Sequence, residues 1–278
     1  MNTTKGGGES AAPTNEILVK GRTIRIIAPL SLKQARRYYL PRFRRSHHYP
    51  SLTAAESAIL RDALRHVRAV FSTFPSTDWV YEHFTQRGLE EREVALKMYE
   101  DKVKRMFSPS TWECQTSDVS VRLYEDVSSA LYELAAGYAV PLSFVYSLAL
   151  AKGILKIPAL QKHDAVYLEG LINRFEERIE EAKSWISRID EFAGLPPYLR
   201  VATFLEPGKL YSTRAVSVLA MSAGAIHAGM PVSQRERVVW SIIDRLIGEE
   251  YLQEVTNRRD AYVCVKKYGE QTGGEECE

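Results

Sequence analysis

The stretch STRAVSVLAMSAGAIHAGMPVSQRERVVWSIIDRLIGEEYLQEVTNRRDAYVCVKK, residues 212–267, decides the reading of this chain. Its first part, 213–221, is apolar with helical spacing, and 223–227 reads as a second, short helix. Gly229, Met230 and Pro231 break the chain. Ser233 and Glu236 have the spacing of a capping box, which predicts a new helix start. Val239, Ile242, Ile243 and Leu246 recur at three and four and make the buried face of that helix. Gly248 is its expected stop. Two β-prone runs, 251–255 and 261–266, flank a polar tip of Thr256, Asn257, Arg258, Arg259 and Asp260.

Helix, helix, turn, helix and hairpin is the order of a winged helix-turn-helix. The turn, the phrase SIIDRLIGEEYL and the basic tip resemble the DNA-binding domain of MarR-type transcriptional regulators. The resemblance covers about a fifth of the chain. It implies that the third helix enters the major groove of duplex DNA with the wing beside it. On that helix Gln234, Arg237 and Ser241 fall opposite the apolar face. Arg237 has the donors for guanine and Gln234 the pair of groups for adenine. Arg235 is expected at phosphate, Arg258 and Arg259 at a minor groove or phosphates, and Lys266 and Lys267 at phosphates. Arg245, near the helix end, also suits the helix dipole. Glu236 and Asp244 share the helix and weaken its attraction for DNA. A winged helix also serves as a protein dock, and that alternative stays open.

The formal charge of +2 names no partner, but its distribution does. Residues 17–55 contain nine Lys and Arg and no acidic residue, whereas 111–208 contain nine basic and fourteen acidic residues. Such asymmetry points to a polyanion more than the mean does. Within ARRYYLPRFRRSHHYP, residues 35–50, Arg36, Arg37, Arg42, Arg44 and Arg45 alternate with Tyr38, Tyr39, Phe43 and Tyr49. Guanidinium groups hold phosphates and rings such as Tyr39 stack on bases. This predicts a basic arm, 17–52, that positions DNA without reading it. Two other readings remain: an arm for a protein partner, or aromatics in the core with arginines paired to the acidic middle.

The expected fold class is mainly α: a multi-helix body with a C-terminal winged helix-turn-helix. Residues 1–16 read as a disordered tail, 53–196 as the helical body, 209–268 as the winged unit and 269–278 as an acidic tail. Residues 17–30 suggest a hairpin or extended arm turning at Gly21. A helix over 31–39 capped by Ser31 should end at Pro41. Thr53 and Glu56 suggest a capping box for a helix to about Phe71. Helical segments then follow from Pro75 to Met106, broken near Gly88, and over 119–136. The uncharged run 134–151 approaches the length of a membrane span. Gly137 and Pro141 cut it, and two buried helices fit better. In 164–192, Leu168, Ile172, Phe175, Ile179, Ala182, Ile186 and Ile189 alternate spacings of four and three, a heptad seam. It suits a homodimer, or equally a bundle helix packed within its own chain.

Cys114, Cys264 and Cys277 are far apart and odd in number, so neither a disulfide framework nor a metal motif is expected. There is no HExxH, GxSxG, phosphate-loop or CxxC pattern. The sequence therefore predicts a non-enzymatic protein with no cofactor and no metal, cytoplasmic or nucleoid-associated. It would be a regulator or a replication or partition factor bound to double-stranded DNA. The alternatives are an architectural subunit of a nucleoprotein assembly holding RNA or DNA without sequence preference, and a winged-helix interaction factor.

Overall fold

The computed structural model describes residues 21–84, 89–158, 160–227, 229–256, 258 and 260–269. The expected tails, Asn257, Arg259 and Cys277 lie outside them, as do residues 17–20. Among the described residues the chain is mainly helical with two small antiparallel sheets. Among the described residues no helix is long and apolar enough to cross a membrane.

Strand β1 (Gly21–Pro29) pairs antiparallel with β2 (Thr116–Tyr124), Gly21 opposite Tyr124 and Pro29 opposite Thr116. Ile24, Ile26 and Ala28 on β1 and Val119, Val121 and Leu123 on β2 are buried, and the residues between them face outward. This corrects one expectation: 119–124 is strand rather than the start of a helix. The described part of 17–30, residues 21–29, is extended, and residues on the other side of the expected turn at Gly21 lie outside the described residues. Val119, Val121 and Leu123 alternate with outward residues, the period of a half-buried strand, and β1 supplies the backbone partners that such a strand needs.

Helix α1 (Leu30–Ser46) runs straight through Pro41. A proline inside a helix costs about 3 kcal/mol, and burial of Leu32, Ala35, Tyr39 and Leu40 against the body offsets it. Ser31 is no cap; its hydroxyl donates to the Tyr167 hydroxyl. Helix α2 (Leu52–Phe71) is capped by Ser51, whose Oγ accepts from the Ala54 N–H at 3.1 Å. The expected Thr53–Glu56 box does not form, because Glu56 is needed elsewhere. Next come α3 (Thr77–His83), capped by Ser76, and α4 (Leu89–Met106).

After β2, α5 (Glu125–Gly137) and α6 (Leu142–Leu155) meet at Pro141, as the broken apolar run implied. Helix α6 is buried on nearly every side and is the hub of the body. Gly153 permits this, since a Cβ there would stand 2.3 Å from the Ile59 side chain on α2.

Helix α7 (Lys162–Ile186) carries the heptad seam, followed by α8 (Ile189–Ala193). Leu168, Ile172, Phe175, Ile179, Ala182 and Ile186 are all buried within the single chain. Phe175 packs on Trp112 and Phe144. The seam is therefore internal, and the homodimer expected through 164–192 loses its surface.

The remaining elements are α9 (Pro197–Ala202), β3 (Leu210–Ser212), α10 (Thr213–Ser222), α11 (Val232–Gly248), β4 (Leu252–Glu254) and β5 (Ala261–Cys264). The sheet order is β3-β5-β4, all antiparallel. Val216, Leu219, Val239, Ile242, Ile243, Leu246, Leu252 and Tyr262 form a second apolar cluster that also takes in Met98 of α4 and Phe192 of α8. The expected short helix at 223–227 is absent. Gly224 sits in the left-handed region at φ +64° and ends α10 in a Schellman motif, with Ala225 N–H donating to the Ala220 carbonyl at 2.8 Å and Gly224 N–H to the Met221 carbonyl at 3.1 Å. A Cβ at Gly224 would also meet Val94 at 2.8 Å. Helix α11 starts after Pro231, which needs no donor at that position. Ser233 and Glu236 make no cap.

Candidate nucleic-acid interface

Ser212 ends β3 and caps α10, its Oγ accepting from the Ala215 N–H at 3.1 Å. The Schellman turn and Pro231 then redirect the chain into α11. Burial of Val239, Ile242, Ile243 and Leu246 leaves Gln234, Arg237, Ser241, Asp244 and Arg245 exposed along the other side. The exposed positions expected on the third helix therefore do share one face. Their charges balance, with Glu236 and Asp244 against Arg237 and Arg245.

Arg235 departs from expectation. It is half-buried, and its Nε donates to the Met230 carbonyl at 2.6 Å, which ties it to the turn before α11. Arg245 lies 5.7 Å from the centroid of the Tyr198 ring. The Tyr198 hydroxyl donates to Glu249 at 2.5 Å, a bond that raises its pKa above the ordinary tyrosine value. This joins the end of α11 to α9.

The hairpin β4–β5 carries Arg258, which is exposed at the tip beside exposed Asp260. Arg259, expected there too, lies outside the described residues. Lys266 is half-buried, its Nζ 4.6 Å from the centroid of Tyr251. Lys267 is exposed but lines the cleft between the C-terminal unit and the body. The two lysines therefore have different surroundings, Lys266 at Tyr251 and Lys267 at the cleft.

The basic segment is a packed helix rather than an arm. Tyr39 is only 1% exposed. Its hydroxyl donates to Asp164 and accepts from the Gln161 N–H at 3.1 Å, and burial raises its pKa. It cannot stack on a base without leaving the core. Arg36 donates to both carboxylate oxygens of buried Glu56, at 2.7 and 2.6 Å. Tyr146, fully buried, donates to the same carboxylate at 2.6 Å. Burial opposes the Arg36 charge, but the Glu56 bonds outweigh it and its pKa is raised. Burial likewise pushes the Tyr146 hydroxyl well above the ordinary value. Arg36 and Tyr39 are thus structural. Removing Glu56 alone would strand a largely buried cation, typically costing about 3–5 kcal/mol.

Arg37, Arg42, Arg44 and Arg45 do remain exposed on α1. Arg42 lies 3.3 Å from the centroid of the Tyr38 ring, a cation–π contact that pre-orders it. Arg44 and Arg45 also sit in the last turn, where the helix dipole favours cations.

Sequence reasoning missed three exposed residues. Arg214 stands on the first turn of α10. Its signal was the Ser212 cap, which marks the helix start and hence which residues crowd it. Val232 is 67% and Trp240 45% exposed on α11. Trp240 follows buried Val239 directly, so helical spacing alone places it off the apolar stripe. Among the described residues no cluster of His, Cys, Asp and Glu could hold a metal.

No family model matches this chain, and neither a curated protein nor a solved structure does.

Proposed function

We propose that 197–268 forms a winged helix-turn-helix, of the kind found in MarR-type regulators, and that the protein binds duplex DNA with it as a non-enzymatic regulator or replication factor. The topology carries this reading: helix, strand, helix, turn, helix and hairpin, with the first strand pairing to the last in the order β3-β5-β4. In that arrangement α9, α10 and α11 are the three helices, so the motif begins one helix earlier than the sequence implied. Helix α11 then stands where a recognition helix stands, with Gln234, Arg237 and Ser241 outward and Arg258 at the wing tip. Arg214 adds a candidate phosphate contact, and Arg37, Arg42, Arg44 and Arg45 form a separate basic surface for backbone.

The test is binding to a selected site and to random duplex at several salt concentrations. Each phosphate contact adds about 0.9 to the log–log salt slope. Arg237→Ala should lower the preference for the selected site by about 1–3 kcal/mol, the discrimination of one bidentate base contact. Arg258→Ala should weaken both duplexes alike. Absence of duplex binding at low salt, or a flat slope, refutes the proposal.

One observation favours a second reading. Val232 and Trp240 put apolar area on the same face of α11 whose charges cancel. A protein partner would bury that area, tryptophan being enriched at interface centres. Under this reading Trp240→Ala abolishes partner capture and leaves DNA affinity unchanged.

A further inference from the structure

We propose that the cleft between the helical body and the C-terminal unit is a binding site for a phosphate-bearing small molecule. The cleft has a volume of about 620 Å³, within the range of small-ligand sites. Lys102 and Arg105 of α4, with Arg178 and Trp185 of α7, form one wall, and Phe204 and Lys267 come from the C-terminal side. A ligand there touches both units.

Its charge is more positive than the fold requires. Lys102 Nζ donates to the Thr203 carbonyl at 3.1 Å, Arg105 to Ser222 Oγ at 3.2 Å and Arg178 to the Thr111 carbonyl at 3.1 Å. All three acceptors are neutral, so none of these hydrogen bonds supplies a countercharge. Glu181 and Glu206 also line it, and Lys209 pairs with Glu206 at 3.3 Å. Lys102, Arg105 and Arg178, hydrogen-bonded to neutral acceptors, suit a dianion better than a single carboxylate, and guanidinium forks suit phosphoryl oxygens. The buried Trp185 indole N–H has no acceptor, leaving a further donor in the wall.

The ammonium of Lys102 lies 5.5 Å from the ring centroids of both Trp185 and Phe204. Burial is the main reason its pKa falls to about 8; repulsion from Lys267 and Arg105 adds to this, and Glu206 and Glu181 oppose it. A bound dianion restores the missing countercharge, so binding at pH 8 draws a proton onto Lys102. A phosphate monoester is already dianionic above about pH 7. Arg105, Glu113, Arg178, Glu181, Arg188, Glu206, Lys209 and Lys267 face the same cleft, and Lys102 is the group whose titration between pH 7 and 9 the affinity should follow.

Calorimetric titration of the full chain with AMP, inorganic phosphate and acetate tests this without DNA. The expected result is binding of AMP and phosphate but not acetate, proton uptake at pH 8, and weaker binding at pH 9 than at pH 7. Arg105→Gln and Arg178→Gln, checked by circular dichroism to be folded, should each weaken AMP by about tenfold or more. Absence of AMP and phosphate binding at millimolar concentration overturns the proposal. So does acetate binding equal to phosphate, or AMP affinity unchanged in both folded variants.

Discussion

Replacing Lys102 by methionine should make the protein more stable at neutral pH. An ordinary lysine titrates at 10.5 and this one at about 8. On folding, its charged form is therefore disfavoured against the neutral form by about 3 kcal/mol. Methionine keeps an unbranched apolar stem and removes the ammonium. The hydrogen bond to the Thr203 carbonyl, 3.1 Å long, is lost, which takes back about 1 kcal/mol. The expected gain at pH 7 is about 2 kcal/mol, a rise in melting temperature of several degrees. The sign in pH follows from a folded pKa below the unfolded one. Below pH 8 both states are protonated and the wild type carries the whole penalty. Between 8 and 10.5 the unfolded state holds more protons than the folded one, so wild-type stability rises toward that of the variant. Tyrosine ionisation is common to both proteins and cancels in the difference. Urea unfolding of the pair at pH 7, 8.5 and 10 measures the gap. A variant less stable than wild type at pH 7, or a gap that does not shrink by pH 10, refutes the reasoning.

Ile179→Glu should unfold the protein rather than dissociate a dimer, since Ile179 is fully buried within one chain. An unpaired charge there adds to lost apolar burial, more than about 4 kcal/mol together; circular dichroism and light scattering decide, and a folded, soluble variant would contradict an internal seam. Glu250 ends α11 in the left-handed region at φ 61°, so Glu250→Gly should stabilise by about 0.5–1 kcal/mol in thermal melts. Tyr211 is pushed up to about 12, chiefly by burial. Its unfolded form ionises first, so its contribution is intact below about pH 10 and lost as pH rises to 12. Stability of wild type falling no faster than that of Tyr211→Phe between pH 10 and 12 would contradict this.

Sequence by itself determined the helices whose cause is local. The apolar repeat of α2, the break at Pro141 and the long stripe of α7 are properties of neighbours three and four apart, and they survive folding unchanged. The exposed face of α11 was legible for the same reason: Val239, Ile242, Ile243 and Leu246 turn inward together, so Gln234, Arg237 and Ser241 turn out. Only tertiary structure decided what lay opposite each face. An apolar stripe states that it must be covered, not by what, and the α7 seam is covered by its own chain rather than a twin. Residues 119–124 become strand because β1, remote in sequence, completes their backbone hydrogen bonds. Arg36 and Tyr39 belong by composition to a basic, aromatic arm. Glu56 and Asp164, brought beside them by α2 and α7, turn them into core. Charge and burial depend on neighbours distant in the chain, and so a basic run announces a positive surface only where no buried carboxylate claims its arginines.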